Sequence, residues 1–252
     1  MMLTGKNAIV YGAAGPIGTA VAKAFAAEGA KVVLGYLRNE AGALRTVERI
    51  RAAGGTAETG VVDALDERSV DDHADAVAAE AGSIDISFNL IGHQQFFGTP
   101  LVEMSVADVE APVTAMLRTF YLTSRAAARH MINQGSGVIL TFGGYGEPSA
   151  NLGGFQAGFG AVEALRRSLA LELGTHGIRV LTLQTGGIPE AVPDDFPEKA
   201  ARAIAEDTAR RTMLKRAATL SDVGAVAVFA ASDLAAAMTG TALNLTAGAV
   251  VD

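Results

Sequence analysis

Short runs of aliphatic and aromatic residues alternate along the chain with longer Ala-rich segments. The short runs are largely apolar throughout, which is typical of strands buried on both faces of a parallel sheet. Most are followed by a segment long enough to form a helix that covers such a sheet. The predicted strands are Ala8–Tyr11, Lys31–Gly35, Gly60–Val62, Asp85–Leu90, Gly137–Phe142, Arg179–Gln184 and Ala242–Leu245, and the predicted helices are Ile17–Glu28, Glu40–Ala53, Glu67–Ala81, Ser105–Asn133 and Phe155–Gly174.

This order of elements predicts an α/β fold, with a doubly wound parallel sheet of about seven strands and helices on both faces. The sequence contains no internal repeat and no low-complexity linker, so we expect residues 1–252 to form one domain. Residues 186–216 interrupt the strand–helix alternation with three Pro and clustered acidic residues. This segment is either a substrate lid or an ordinary surface excursion.

The composition narrows the possible partners. The 252 residues include 20 Lys and Arg against 27 Asp and Glu, which gives a net charge of −7. This acidic balance argues against a nucleic-acid or anionic-membrane surface. No run approaches the roughly 18 apolar residues that a membrane-spanning helix needs. The chain also shows no cleavable signal pattern, so we expect a cytoplasmic protein.

The residue types also limit the possible chemistry. The chain has no Cys, which excludes disulfides, thiolate metal sites and a Cys nucleophile. Its four His are not clustered with carboxylates, so we expect no metal cofactor. His73, His130 and His176 stand in polar helix or turn contexts, and we expect all three to be solvated.

A glycine-rich turn, Gly12-Ala13-Ala14-Gly15-Pro16-Ile17-Gly18, follows the first predicted strand and opens a helix. Glycines there permit a tight turn and leave backbone N–H groups open to a phosphate at the helix N-terminus. Pro16 removes one of these donors. The alternative is a turn whose glycines serve only helix–strand packing. The residues predicted to contact a dinucleotide here are Gly12, Ala14, Gly15, Ile17 and Gly18.

The end of the second predicted strand indicates which dinucleotide would bind. An acidic residue there usually holds a ribose 2′-hydroxyl, whereas a 2′-phosphate needs a cation. The sequence has no acid before Glu40 and offers Arg38, whose planar guanidinium suits a phosphate. Arg38 therefore favours NADPH over NADH. The alternative is that Arg38 is a solvated residue at the start of a helix.

Beyond this turn, the sequence resembles the short-chain dehydrogenase/reductase family over nearly its whole length. The spacing of the three turn glycines fits a less common form of that family's N-terminal fingerprint. Further similar segments are Val61-Val62-Asp63, Asn89-Leu90-Ile91-Gly92, Ala126–Met131, Leu169–Gly174, His176–Val180, Gly186-Gly187-Ile188, Ser221–Val223 and Met238–Gly240.

The resemblance implies a single-domain Rossmann fold that binds NAD(P). It implies that Asp63 contacts the adenine ring and that Asn89 and Gly92 follow the fourth strand beside the cofactor. It also places Gly186 and Ile188 where the nicotinamide carboxamide binds. With the glycine turn and Arg38, these residues place the predicted cofactor site at the carboxyl ends of five strands.

The residues that carry the family's reaction are replaced. The resemblance implies a Tyr acid/base, a Lys that lowers its pKa, a Ser that binds the carbonyl and an Asn that holds a water. In this sequence those positions are Phe155, Phe159, Gly143 or Gly144, and Met116, respectively. Phe has no titratable atom, so the usual proton transfer cannot occur there.

Two other residues are candidate proton donors. Tyr145 follows the fifth predicted strand, and His93 lies just beyond the fourth, where α/β sheets place ligands. The alternative interpretation is that both are ordinary loop residues with no part in catalysis. The residues predicted to line the substrate pocket are Gln94, Phe97, Gly144, Phe155 and Gln156.

Three hypotheses about function follow. The first is an NAD(P)H-dependent oxidoreductase acting on a small molecule, such as an imine or an activated C=C bond, that needs less proton help than a ketone. The second is a non-redox dehydratase, isomerase or cyclase on the same scaffold. The third is an inactive nucleotide-binding partner subunit. The family also commonly forms homotetramers or homodimers, and the segment Ala161–Leu173 is consistent with such an interface.

Overall fold

The computed structural model describes residues 1–91, 98–144, 150–192 and 196–251. Seven strands form one parallel sheet in the order β3-β2-β1-β4-β5-β6-β7. The strands are β1 Asn7–Tyr11, β2 Lys31–Tyr36, β3 Thr56–Val61, β4 Ile86–Asn89, β5 Gly137–Gly144, β6 Ile178–Thr185 and β7 Ala242–Asn244. The helices are α1 Pro16–Ala27, α2 Glu40–Ala52, α3 Glu67–Ala81, α4 Val106–Gln134, α5 Phe155–Leu173, α6 Glu198–Arg211 and α7 Leu220–Ala231.

This topology confirms the predicted doubly wound sheet. The chain runs outward from β1 to β3, then returns to β4 on the other side of β1. A crevice forms at such a reversal, beyond the carboxyl ends of the strands, and α/β proteins bind their ligands there. The fold therefore directs attention to the space above β1 and β4.

Helices cover both faces of the sheet. Successive β1 residues point to opposite sides, so Ala8 and Val10 pack with α1, α2 and α7, whereas Ile9 and Tyr11 pack with α3, α4 and α5. Both sets of strand side chains are fully buried. This double burial explains why the central strands read as continuous apolar runs.

The structure differs from the predicted elements at β3, α6 and α7. Strand β3 begins at Thr56 rather than at Gly60. It is the edge strand, and its polar residues Thr56, Glu58 and Thr59 conceal it from a search for apolar runs.

Helix α6 lies within the segment 186–216 and was not predicted, since none of its residues is buried. Its sequence is rich in Ala, and the exposed pairs Arg202–Glu198 and Arg211–Asp207, each four residues apart, add support to the helix. Helix α7 was not among the helices predicted from the apolar pattern, although Ser221–Val223 within it belongs to the segments that resemble the family.

The prediction that His73 is solvated is wrong. Its ring packs against Tyr11 with 5.6 Å between centroids, and neither ring nitrogen has a hydrogen-bond partner in the described part of the chain. Gly60 makes room for it, since a Cβ there would lie 2.4 Å from His73 Nε2. Burial lowers the pKa of His73 to about 4. By contrast, His130 bonds Asp75 on the surface, and His176 is exposed.

We predict that His73 makes the protein less stable in mild acid. A His in the unfolded chain has a pKa of about 6.5, so above that pH the buried neutral imidazole makes its full contribution to the free energy of unfolding. The contribution falls as the pH drops toward 4, by up to about 3 kcal/mol, because the unfolded chain then binds a proton that the folded chain excludes. Denaturant unfolding of His73→Phe and the native chain across this range measures the difference.

His176→Phe is the matched control, because this exposed side chain should leave the pH profile unchanged. Equal acid sensitivity of the native chain and His73→Phe would contradict the assignment of a buried neutral imidazole.

Candidate active site at the carboxyl edge of the sheet

A groove of about 800 Å³ opens at the predicted edge of the sheet. It runs over the ends of β1, β2 and β4 and beside the N-terminus of α1. Its volume is in the range of cofactor and small-molecule sites. The predicted cofactor residues that line it are Gly12, Ala14, Gly15, Ile17, Gly18, Arg38 and Asp63.

The three turn glycines have different roles. Gly12 has φ +78°, and a Cβ there would lie 2.5 Å from the Leu90 carbonyl oxygen. A Cβ on Gly18 would lie 2.5 Å from the Gly12 carbonyl oxygen. Packing therefore explains these two glycines. A Cβ on Gly15 would meet only the Gly12 oxygen at 3.7 Å, so its bare α-carbon is not demanded by packing. Gly15 instead leaves room for a ligand to approach the backbone.

The N-terminus of α1 is open toward the groove. Its N-cap, Gly15, has no capping side chain, whereas Asn39, Asp66 and Ser105 cap α2, α3 and α4. Pro16 occupies the first helical position and has no N–H to satisfy. The next backbone N–H groups of α1 line the groove without a side-chain acceptor, an arrangement that suits a phosphate.

The far end of the groove carries one cation and one carboxylate. The Arg38 side chain is exposed and forms no ion pair with any described residue. Asp63 uses one carboxylate oxygen to accept from the Leu65 backbone N–H at 2.9 Å. Arg118 donates to the Leu65 carbonyl at 2.7 Å and so ties α4 to the same loop. A 2′-phosphate would fit Arg38, and the remaining oxygen of Asp63 is left for a ligand.

A second, inner cavity of about 220 Å³ adjoins the groove. The two cavities share Ile17, Leu90, Ile91 and Thr119 along their walls. The inner cavity is lined by Met116, Phe155 and Phe159, the residues that the sequence predicts at three of the family's four catalytic positions. The rings of Phe155 and Phe159 meet edge to face, with centroids 4.5 Å apart. None of the described residues that line this cavity is titratable.

Of the two glycines predicted at the family's Ser position, Gly143 has no room for a side chain. A Cβ on Gly143 would lie 2.9 Å from Thr182 Cγ2 and 3.2 Å from Gln184 Cγ, both on the neighbouring strand. Gln184 is 7% exposed, and its side-chain oxygen has no partner in the described part of the chain. Gly144 ends β5 beside Thr185. Restoring a Ser at Gly143 would therefore require β6 side chains to move.

The remaining predicted residues lie around these cavities or outside the described part of the chain. Asn89 lines the inner cavity, where its oxygen accepts from Ile91 N–H at 3.0 Å. Gly186 and Ile188 follow β6 and are not among the lining residues of either cavity. Gln156 lies half-buried in the first turn of α5. The candidates Gly92, His93, Gln94, Phe97 and Tyr145 fall outside the described residues.

Sequence reasoning missed a buried charged cluster beneath the site. Arg166, only 3% exposed, binds Glu163 through Nε and Nη2, and Glu163 accepts from the Thr182 hydroxyl. The sequence carried no signal for it, because Glu and Arg three residues apart are ordinary on an exposed helix face. Only the packing of α5 against β6 buries this pair.

Two classes of site are not found in the part of the chain that the structure describes. No helix there is long and apolar enough to cross a membrane. No group of three His, Asp or Glu side chains there is placed to hold a metal ion.

The sequence and fold are similar to those of known oxidoreductases. A family model described as Enoyl-(Acyl carrier protein) reductase matches residues 12–249. The chain belongs to the short-chain dehydrogenase/reductase family. Members of this family are NAD(P)-dependent oxidoreductases, and the Rossmann fold and dinucleotide groove described above are those expected of a member.

Individual relatives of this chain span its whole length. It is 31% identical to the "Uncharacterized oxidoreductase YxbG" of Bacillus subtilis over 98% of this chain and 91% of that protein. It is 32% identical to an L-rhamnose 1-dehydrogenase (NAD(P)(+)) of Sphingomonas, covering 100% of this chain and 98% of the relative. A Burkholderia cenocepacia short-chain dehydrogenase solved with NADP has a TM-score of 0.85 at 29% identity, covering 99% of both chains.

We predict that Gly15→Ala weakens dinucleotide binding without unfolding the chain. The added methyl group meets only one atom, at 3.7 Å, so the unfolding temperature should stay near that of the native protein. The same methyl group would stand where the pyrophosphate approaches, so calorimetry should show a loss of at least about tenfold in affinity.

Gly18→Ala provides the comparison, because its Cβ collides with the Gly12 carbonyl and should lower the unfolding temperature as well. Native affinity for a dinucleotide in Gly15→Ala would show that the ligand does not approach this turn.

Proposed function

We propose that this chain is an NADPH-dependent reductase of a polarised C=N or C=C bond that does not reduce simple ketones. The observation that carries the proposal is the apolar inner cavity lined by Phe155, Phe159 and Met116, the residues that the sequence predicts in place of the family's Tyr, Lys and Asn. No titratable side chain stands among its described lining residues. A simple ketone needs a proton at oxygen as hydride arrives, whereas an iminium ion or an activated enone needs less help.

The residues of the groove fit a dinucleotide. The open N-terminus of α1 beside Gly15 would hold the pyrophosphate, Asp63 the adenine and Arg38 a 2′-phosphate. Gly186 and Ile188, after β6, would lie at the nicotinamide end. The bound nicotinamide supplies a hydride.

The side chains of the inner cavity would act by position rather than by proton transfer. The edge-to-face pair of Phe155 and Phe159 makes a rigid apolar wall that excludes water and orients a flat substrate. Orientation alone can supply a large part of a rate acceleration when the reacting atoms are held in contact. Tyr145 and His93 remain the candidate proton donors of this proposal.

The rest of the proposal concerns the substrate pocket and the assembly. Gly144 and Gln156, with the sequence candidates Gln94 and Phe97, would border the substrate beside Phe155. We also propose a homodimer or homotetramer that pairs α5, because its Leu171 side chain is 81% exposed. The cytoplasmic location expected from the sequence stays a prediction.

We predict that the purified chain consumes NADPH with methylpyrroline or cyclohexenone and not with cyclohexanone. The first two accept hydride at a carbon that is already activated, whereas the saturated ketone lacks this activation. The absorbance of NADPH follows the reaction directly. A flat signal with a broad panel of imines and enones would refute the proposal, as would cyclohexanone reduction at a comparable rate.

The variants His93→Ala and Tyr145→Phe locate the proton donor in the same assay. A loss of at least about tenfold in kcat for either variant would assign proton donation to that residue. Full activity in both would assign it to solvent.

We further predict that Arg38→Ala loses preference for NADPH. Removing a guanidinium from a phosphate should raise the Kd for NADPH about tenfold or more and leave the Kd for NADH nearly unchanged. Arg45→Ala is the matched control, because this exposed Arg of α2 does not line the groove. If Arg38→Ala weakened the binding of NADPH and NADH equally, the Arg38 side chain would not be in contact with the 2′-phosphate.

A further inference from the structure

We propose that Thr141 determines the specificity of the inner cavity, by donating a hydrogen bond to the carbonyl oxygen of an uncharged α,β-unsaturated carbonyl compound. The inference rests on the proposed function only in taking this cavity as the substrate's place. Binding of such a compound does not itself require turnover, so the two proposals can fail separately.

The walls of the inner cavity select an apolar ligand. Nine of its twelve described lining residues are apolar. A volume of about 220 Å³ accommodates one small ring with a short substituent, since a cavity of about 150 Å³ holds benzene. The apolar residues are Ile17, Leu90, Ile91, Met116, Phe120, Phe142, Phe155, Phe159 and Val162.

The charge of the lining selects a neutral ligand. None of the described lining residues carries a charge, so neither an ammonium nor a carboxylate would find an ion-pair partner among them. Burying an unpaired charge is far more costly than burying a carbonyl group that receives one hydrogen bond. Among the substrates of the proposed reaction, this favours an activated C=C bond over a cationic iminium ion.

Three polar side chains line the cavity, and two of them are committed to the protein. The Asn89 carboxamide accepts from Ile91 N–H at 3.0 Å and donates to the Thr123 hydroxyl at 3.3 Å. The Thr119 hydroxyl donates to the Met116 carbonyl at 3.2 Å. Thr141 is 4% exposed, and its hydroxyl makes no hydrogen bond with any described residue.

The position of Thr141 in the sheet sharpens this contrast. Asn89, Thr141 and Thr182 are paired across β4, β5 and β6 and form one row. The two outer members bond within the protein, because the Thr182 hydroxyl donates to Glu163. Among these three paired residues, only the Thr141 hydroxyl has no hydrogen bond to a described residue and can donate one to a ligand. A ligand that fills the cavity without accepting from this hydroxyl would leave it unpaired, so a ligand with a hydrogen-bond acceptor is favoured.

The test compares Thr141→Val, which keeps the shape and removes the hydroxyl, with Thr141→Ser, which keeps the hydroxyl. The probes are cyclohexenone and methylcyclohexene, which differ in the carbonyl oxygen, and their affinities are measured by calorimetry without cofactor. We expect Thr141→Val to lower the affinity for cyclohexenone about fivefold or more. The affinity for methylcyclohexene should stay within about twofold of the native value. Thr141→Ser should bind cyclohexenone nearly as the native chain does.

Thermal unfolding provides a second measurement. Because the hydroxyl is unpaired in the unliganded chain, Thr141→Val should unfold at the native temperature or above it. A purely structural role would lower that temperature and weaken both probes equally, which would overturn the proposal. Unchanged cyclohexenone binding in Thr141→Val, no binding to the native chain, or tighter binding of a protonated cyclic imine would also overturn it.

Turnover separates this inference from the proposed function. If cyclohexenone binding depends on the hydroxyl but no probe is reduced, the inference holds and the reductase proposal fails. If enones are reduced and the KM for cyclohexenone is the same in Thr141→Val as in the native chain, the reductase proposal holds and Thr141 does not determine specificity.

Discussion

The contact between the glycine turn and the end of β4 is the constraint on which the site depends. The Gly12 α-carbon lies so close to the Leu90 carbonyl that a Cβ would stand 2.5 Å away, and Gly18 approaches Gly12 equally closely. These two contacts press the N-terminus of α1 against the carboxyl ends of β1 and β4. The groove exists because no side chain separates the turn from the neighbouring strand. Gly15 then presents its backbone to the groove without a steric demand of its own.

The inner cavity is enclosed by side chains and glycines that pack closely against each other. Met116 Sδ would lie 2.6 Å from a Cβ on Gly158, so the long side chain of one helix needs the glycine of the next. Gln184 and Thr182 fill the space beside Gly143 in the same way. A change at one of these positions would therefore disturb its partner. The apolar wall is a coherent surface, and the chemistry performed there must suit a dry, uncharged environment.

Polar groups on the same side of the sheet are arranged in two ways. Arg166, Glu163 and Thr182 form a buried cluster beneath the site, in which the charges are largely matched within the protein. Above this cluster, the Thr141 hydroxyl faces the inner cavity without a partner in the described part of the chain. Several buried polar atoms elsewhere, such as the His73 nitrogens and the Gln184 side-chain oxygen, also lack a partner in the described part of the chain, but Thr141 is the one of them that lines the inner cavity, where a ligand can accept its hydrogen bond.

The sequence by itself determined the sheet, most of its helices and the position of the dinucleotide groove, because these depend on local apolar runs and on one glycine spacing. It did not reveal α6, a helix with no buried residue that lies inside the segment where the strand–helix alternation is interrupted. It also predicted a solvated His73, because the neighbours of this residue along the chain are polar and give no sign that its ring packs on Tyr11. Only the tertiary structure decided that Phe155, Phe159 and Met116 close one cavity and that Thr141 shares it. These residues come from three separate elements, and their contacts arise from packing over long sequence separations.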